Sequence, residues 1–272
     1  MNKKKKNFAL ITGASSGIGE AFARKLASQG YNLIIVARRK KRLQLLAAEL
    51  QEKHSIHIEV FPADLTKEQD LTKIEKKIAE FTNISMLVNN AGFGTRGSFA
   101  EVDITKSVNM IKVHIIASTR LTKAVLPQMI NQNKGVIINL GTLAVGLPNP
   151  GVTVYTATKS YLTNFSESLQ AEMNGKNLDI KIQILCPGLT QTDFFNTEEY
   201  GYQTLDDEDE FDVQSADEVV EESLASLTKE AVVVVPGSKN REILSLMSNE
   251  GKSWDEAATI VFAQDSKKNK SE

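Results

Sequence analysis

The sequence predicts a doubly wound α/β fold around a central, mostly parallel seven-stranded sheet. Short apolar runs alternate with helical patterns along the whole chain. The runs are nearly continuous, as strands covered on both faces are, and the first enters the first helical stretch through a glycine-rich corner. The predicted strands are Phe8–Thr12, Asn32–Ala37, Ile56–Pro62, Met86–Asn89, Val136–Leu140, Ile180–Cys186 and Ala231–Val235. Between them, helical spacing predicts Ile18–Gln29, Lys40–Lys53, Lys67–Phe81, Ile104–Gln132, Val154–Met173 and Ala216–Thr228. Gly30 stands where a left-handed cap is wanted after the first helix, and Ser215-Ala216-Asp217-Glu218 is a capping box for the last core helix. Val232–Val235 followed by Pro236-Gly237 reads as a final edge strand. Asn240–Met247 and Trp254–Phe262 read as short helices and Ser266–Glu272 as a disordered tail. No internal repeat is visible.

Composition bounds the function classes. The 272 residues, 41% hydrophobic and 24% charged, are enough for one large core. The expected organisation is a basic tail over residues 1–6, one domain over 7–240 and a short helical extension and tail over 241–272. A net charge of −2 gives no general attraction to nucleic acid or anionic membrane, and Lys3–Lys6 read as a solvated run. No apolar segment has membrane-spanning or signal-peptide length, so a soluble, cytoplasmic protein is expected. Cys186 is the only cysteine, which excludes an internal disulfide; at the end of an apolar strand it reads as a small packed hydrophobe. His54 and His57 have neither Cys nor clustered acid beside them, so no metal is expected.

Chemistry first shows in Tyr155-Thr156-Ala157-Thr158-Lys159. In a helix this spacing puts the phenol and the ammonium on one face, one turn apart. A free Tyr titrates near pH ~10 and is a poor proton carrier at neutrality. A cation about 4 Å away, at an effective dielectric near 20, stabilises the phenolate by roughly 4 kcal/mol, at most ~3 pKa units. The glycine corner Thr12-Gly13-Ala14-Ser15-Ser16-Gly17-Ile18-Gly19 carries a second signal, because such corners let backbone amides approach phosphate at a helix N-terminus. Its spacing is G-x-x-x-G-x-G, and no Lys-Ser/Thr follows, which excludes a triphosphate P-loop.

Thr12 to Gly19, Asn89-Asn90-Ala91-Gly92, Thr142 thirteen residues before Tyr155, Lys159, and Pro187-Gly188 occur in an order and spacing that resembles the single-domain short-chain dehydrogenase/reductases, over roughly residues 7 to 240. The resemblance implies a Rossmann-type domain, a nicotinamide cofactor and hydride exchange between an alcohol and a carbonyl compound. It makes Tyr155 the general acid in reduction and the base in oxidation, with Lys159 lowering its pKa and holding the nicotinamide ribose. Thr142 stands where the family usually has Ser and still offers a hydroxyl to the substrate oxygen. His114 stands where the family usually has the Asn that anchors a water linking Lys159 to solvent. A neutral imidazole has the donor and acceptor to hold that water, and the alternative is a packed helix residue. Gly13, Ser15, Ser16, Gly17, Ile18 and Gly19 are the expected phosphate corner. Asp64 matches the position whose carboxylate contacts the adenine amino group, with Leu65 beside it. Asn90, Ala91 and Gly92 line the adenosine side, and Pro187 and Gly188 complete the cofactor set.

Cofactor choice is argued from the end of the second strand. An NAD-specific enzyme usually has an acid there, which would repel a 2′-phosphate; here the position is Ala37, followed by Arg38-Arg39-Lys40-Lys41. Arg38 and Arg39 are the candidate cofactor-binding residues here, the first placed to pair bidentately with phosphate oxygens, so NADP(H) is expected over NAD(H), while Lys40, Lys41 and Arg42 read as a solvated helix start. Ser16 lacks the basic charge some relatives carry in the corner. Residues 189–214 correspond to the family's variable substrate lid. Its Phe194, Phe195, Tyr200, Tyr202 and Phe211 either cover an apolar carbonyl substrate or simply anchor the loop, and acidic Asp206–Glu210 disfavours a strongly anionic substrate. Val154, Tyr161, Leu162, Phe165 and Leu169 read as core or subunit contact, and relatives suggest a homodimer or homotetramer. Two function classes follow: an NADP-dependent carbonyl reductase or alcohol dehydrogenase, and a nucleotide-binding sensor or scaffold on the same fold, motivated by His114 and Thr142.

Overall fold

The computed structural model describes residues 7–143, 150–193, 213–250 and 256. The chain order is β1 (Phe8–Thr12), α1 (Gly17–Ser28), β2 (Asn32–Ala37), α2 (Lys40–His54), β3 (Ile58–Pro62), α3 (Glu68–Glu80) and β4 (Ile84–Asn89). There follow α4 (Ile104–Ile111), a π-helical turn (Lys112–Ala117), α5 (Ser118–Gln132), β5 (Gly135–Leu140), α6 (Thr153–Gly175) and β6 (Ile180–Leu185). The chain closes with β7 (Thr190–Gln191), β8 (Gln214–Ser215), α7 (Ala216–Ser226), β9 (Val233–Val234) and α8 (Ser238–Glu250). Seven strands form one sheet in the order β3-β2-β1-β4-β5-β6-β9, and every pairing in it is parallel. The order reverses between β1 and β4, so a crevice opens at their carboxyl ends.

Successive strand residues face opposite layers, which is why the apolar runs do not alternate with polar residues. Ile11, Leu33, Ile35, Val88 and Ile138 pack with Phe22 and Leu26 of α1, Leu43 and Leu50 of α2 and Val219 of α7. Leu10, Ile34, Leu87, Ile137 and Ile182 face the other way, onto Ile74 of α3, Leu121 and Val125 of α5 and Met173 of α6. A third cluster joins Leu143, Leu162, Ile184 and Cys186 to Ile243 and Met247 of α8. The segment expected as an extension from residue 241 is therefore in part a helix whose apolar side is buried in the body.

Boundaries moved for local reasons. β3 begins at Ile58 because Ser55 is left-handed (φ 51°) and the ladder starts at the Leu33↔Ile58 pair. β4 starts earlier than expected because buried Ser85 interrupts the apolar run but not the backbone pairing. β9 shortens to two residues, since β6 offers it only Ile184 and Leu185 as partners. The single helix expected over Ile104–Gln132 is continuous but passes through the π turn that carries His114. Gly30 takes a positive φ of 83° after α1, and Ser215 and Glu218 form the reciprocal capping box. Lys3–Lys6, the lid aromatics, Asp206–Glu210, Trp254–Phe262 apart from Glu256, and Ser266–Glu272 lie outside the described residues. No helix among the described residues is long and apolar enough to cross a membrane.

Candidate functional site

The carboxyl ends of β1 and β4 are tied together by side chains. Thr12 Oγ1 donates to the Val88 carbonyl (3.3 Å) and accepts from the backbone N–H groups of Asn90 and Ala91, both at 3.0 Å. Asn90 Nδ2 donates back to the Thr12 carbonyl at 2.9 Å. The Asn90 carboxamide fills the glycine corner: a Cβ on Gly13 would lie 2.6 Å from Asn90 Nδ2, and one on Gly19 2.5 Å from the Gly13 carbonyl oxygen. Gly13 and Gly17 also hold positive φ (70° and 56°), and a Cβ on Gly17 would press on Thr192 at 3.0 Å. The glycines thus make room for Asn90 and Thr192 as well as exposing the start of α1. Ser16 caps that helix without a side-chain hydrogen bond to its backbone, and the first N–H groups of a helix lack intrahelical partners.

Around this corner lies a cleft of about 500 Å³. Of the sequence-predicted residues, Gly19 and His114 lie behind its wall and all the others line it. At the end of β2 the guanidinium that reaches the corner belongs to Arg39, not Arg38. Arg39 Nε donates to Ser15 Oγ at 3.0 Å, and its terminal nitrogen donates to Ser16 Oγ. Arg39 is the cap residue of α2, and its backbone turn (φ −81°, ψ 79°) accompanies a side chain laid back over the loop. This brings a positive charge beside Ser16. Arg42 is not merely solvated: it pairs with Asp193 at 3.0 Å. Asp64 Oδ1 accepts from the backbone N–H (3.0 Å) and hydroxyl (2.7 Å) of Thr66, which fixes its carboxylate at the cleft edge.

Toward the other end, α6 brings Tyr155 and Lys159 to one face. Lys159 is buried, donates to the Leu140 carbonyl at 2.7 Å, and holds Nζ 5.6 Å from the Tyr155 ring centroid. Burial pushes its ammonium down to about 8. Cys186 is pushed up to about 12 by burial and remains a thiol. Thr142 follows β5 and is half-buried. His114 is fully buried behind Gly92; desolvation first, then the Lys159 charge, hold it well below the ordinary imidazole range, so it is neutral. Phe93 N–H donates to its Nε2 (3.2 Å), which leaves the proton on Nδ1, donated to Thr158 Oγ1 at 2.8 Å; that hydroxyl donates onward to the Tyr155 carbonyl at 2.7 Å. Both ring nitrogens have protein partners, so neither is left for the water expected of this position. His114 instead braces the helix turn that carries Tyr155.

Several participants were not legible from motifs. Thr158 and Phe93 matter only through His114, and Thr192 and Asp193 reach the corner from far along the chain. Asn240 packs against Gly188, leaving no space for a Cβ there, and donates to the Pro236 carbonyl at 2.8 Å. Among the described residues no group of three or more His, Cys, Asp or Glu could hold a metal ion.

A phosphate-accepting corner at the switch point of a parallel sheet, with a Tyr and a buried Lys facing the same cleft, defines a dinucleotide-binding oxidoreductase class. The sequence profile described as short chain dehydrogenase matches residues 7–202, and the chain belongs to that family. It is 34% identical over 204 residues to sulfoacetaldehyde reductase 2 of Chromohalobacter salexigens, covering 74% of this chain and 79% of that one. To the very-long-chain 3-oxoacyl-CoA reductase of Anas platyrhynchos it is 33% identical over 178 residues, 64% of this chain but only 57% of the relative's length. A short-chain dehydrogenase from Sphingobium yanoikuyae, solved in complex with NADPH, superposes with a TM-score of 0.80 at 30% identity, over 90% of this chain and 93% of its own.

The depressed Lys159 pKa has a thermodynamic consequence. The unfolded chain holds the lysine proton up to about 10.4, the folded chain only to about 8, so the unfolded state binds more protons between those values and stability rises with pH across that window. Below pH 8 the burial costs the folded state about 3 kcal/mol. Urea unfolding of the parent and of Lys159→Met at pH 7.5, 9 and 10 should show the variant more stable at pH 7.5 and its advantage shrinking as pH rises. A difference that does not change with pH contradicts the assignment.

Proposed function

We propose that the protein is an NADP(H)-dependent oxidoreductase that interconverts a carbonyl compound and an alcohol, with Tyr155 as general acid in reduction and general base in oxidation. The observation that carries this reading is the convergence of Tyr155, buried Lys159 and Thr142 on a cleft whose far end presents Arg39 beside the glycine corner. The residues present fit a dinucleotide: a helix start and Ser15 for the diphosphate, Asp64 and Leu65 beside the adenosine, Arg39 for a 2′-phosphate with Arg42 just outside the cleft and paired to the same Asp193, and the N–H groups of Lys159 for the nicotinamide ribose. When bound, the cofactor supplies or accepts the hydride. Tyr155 gives its hydroxyl proton to the substrate oxygen, and Thr142 donates a hydrogen bond to the same oxygen. The Lys159 ammonium stabilises the negative charge that develops on Tyr155 as its proton leaves. Phe93, Leu143, Val152 and Leu189 give the cleft apolar walls, which favours a lipophilic carbonyl substrate.

The sensor or scaffold reading draws on Thr142 and on a His114 whose ring nitrogens are both engaged. A screen of ketones, aldehydes and alcohols with NADPH or NADP separates the two, since a sensor binds cofactor and turns over nothing. With a substrate in hand, Tyr155→Phe should lower kcat at least a hundredfold with cofactor binding retained; activity equal to the parent removes Tyr155 from the chemistry. Parent protein should bind NADPH more tightly than NADH, and Arg39→Ala should erase most of that preference; equal dissociation constants in the parent overturn the cofactor assignment.

We further propose a homo-oligomer. Ile104, Val108 and Ile111 on α4, Ile116 on the π turn and Tyr161 on α6 are 64%, 40%, 38%, 44% and 37% exposed, and Tyr161 stacks on Phe165 at 5.9 Å. Their spacing puts an apolar stripe on one side, and exposed apolar stripes are a common mark of association. Light scattering should report a dimer or tetramer for the parent and a smaller species for Val108→Glu; a monomeric parent contradicts this.

A further inference from the structure

We propose that Asp193 is a specificity-determining residue for the cofactor: its carboxylate competes with the adenosine 2′-phosphate for Arg39 and Arg42 and so weakens binding of NADP(H) relative to NAD(H). The inference rests on the NADP(H) reading above. Arg39 and Arg42 lie one helical turn apart at the start of α2, and both point a guanidinium at the same oxygen, Asp193 Oδ2, at 3.5 and 3.0 Å. Asp193 comes from the opposite wall of the cleft, just after β7, where the neighbouring Thr192 packs on Gly17. Two guanidiniums converging on one acid beside Ser15 and Ser16 is the charge arrangement that receives a phosphate, and an aspartate is the monoanionic form of the same ligand chemistry.

The contest has a definite sign. A phosphate monoester carries about −1.5 to −2 charges at neutral pH and three acceptor oxygens, against one charge for a carboxylate, so the cofactor's phosphate prevails but must displace or share the site with Asp193. The nearby acid Glu20 is not a second competitor, because Arg24 holds its carboxylate at 2.7 Å. An NAD(H) molecule makes no claim on the two arginines and leaves the Asp193 pairs intact. The opposite role is that Asp193 braces Arg39 in a receptive position; removing it would then weaken phosphate binding.

Calorimetric titration of the 272-residue chain with adenosine 2′,5′-bisphosphate and with adenosine 5′-monophosphate isolates the 2′-phosphate without any need for a substrate. Asp193→Asn should tighten the bisphosphate about twofold to fivefold, the range that exposed ion pairs command, with no matching gain for the monophosphate. Asp193→Ser should reproduce the gain, so that the result does not depend on one variant folding, and Asp193→Glu should stay near the parent. Bisphosphate affinity unchanged or weakened in both neutral variants overturns the proposal. Its failure is distinct from failure of the cofactor reading: if the parent favours the bisphosphate and Arg39→Ala abolishes that, the cofactor reading stands whatever Asp193 does. If the parent shows no preference, both fall.

Discussion

The constraint on which the rest of the site depends is the lock between Thr12 and Asn90 at the sheet's switch point. One hydroxyl and one carboxamide hold the ends of β1 and β4 at a fixed spacing, and the polar groups at both ends satisfy one another instead of needing solvent. Everything on the cleft floor follows from it. The carboxamide occupies the space that side chains at positions 13 and 19 would take, so the corner must be glycine there, and the start of α1 is left uncovered. A glycine-rich turn is usually explained by what approaches from outside. In this chain the tightest approach is from inside, by Asn90, and the opening toward a ligand is a by-product of that packing.

The opposite end of the cleft is governed by a balance of two electrostatic quantities of similar size. Taking the Lys159 ammonium out of water disfavours its charge by about 3 kcal/mol, from the drop in its pKa to about 8. At an effective dielectric near 20, the 5.6 Å between Nζ and the Tyr155 ring corresponds to an attraction of about 3 kcal/mol for an anion there. A negative charge developing at that ring would therefore recover about as much as burial costs the ammonium. The neighbours do not disturb this balance: His114 is held neutral and Cys186 stays protonated, so neither adds a competing charge. The place of the family's usual Asn is taken by a residue that contributes structure, and its neutrality is what makes it compatible with a cation so close.

The sheet was legible because burial on both faces leaves an unmistakable trace, continuous apolar runs separated by helical spacing, and because that trace is local. The Tyr155–Lys159 pair was legible for the same reason, one helical turn being a fixed geometry. What was not legible depends on where a side chain turns after its backbone position is known. Arg38 and Arg39 are equivalent as letters, and only the turn before α2 decides that the second lies over Ser15 and Ser16. Thr192, Asp193 and Asn240 meet the corner and Gly188 from positions with no motif spacing to betray them. His114 was visible as a departure, but its role required knowing that Phe93 and Thr158 present a donor and an acceptor to its two nitrogens.

The two ends of the cleft differ in dielectric, and this separates the properties each can control. The acid and bases near Arg39 are about half exposed, so solvent screens them and any single pair changes affinity by a small factor. Lys159 is sealed, so its charge acts at nearly full strength and is sensitive to every buried neighbour. Substitutions at the arginine end therefore change how strongly an anion is held there by small factors, without disturbing the fold. Substitutions around Lys159 change the protonation of the buried ammonium and the stability of the chain together. The charges at the two ends can therefore be altered independently, because they share a cleft but not an environment.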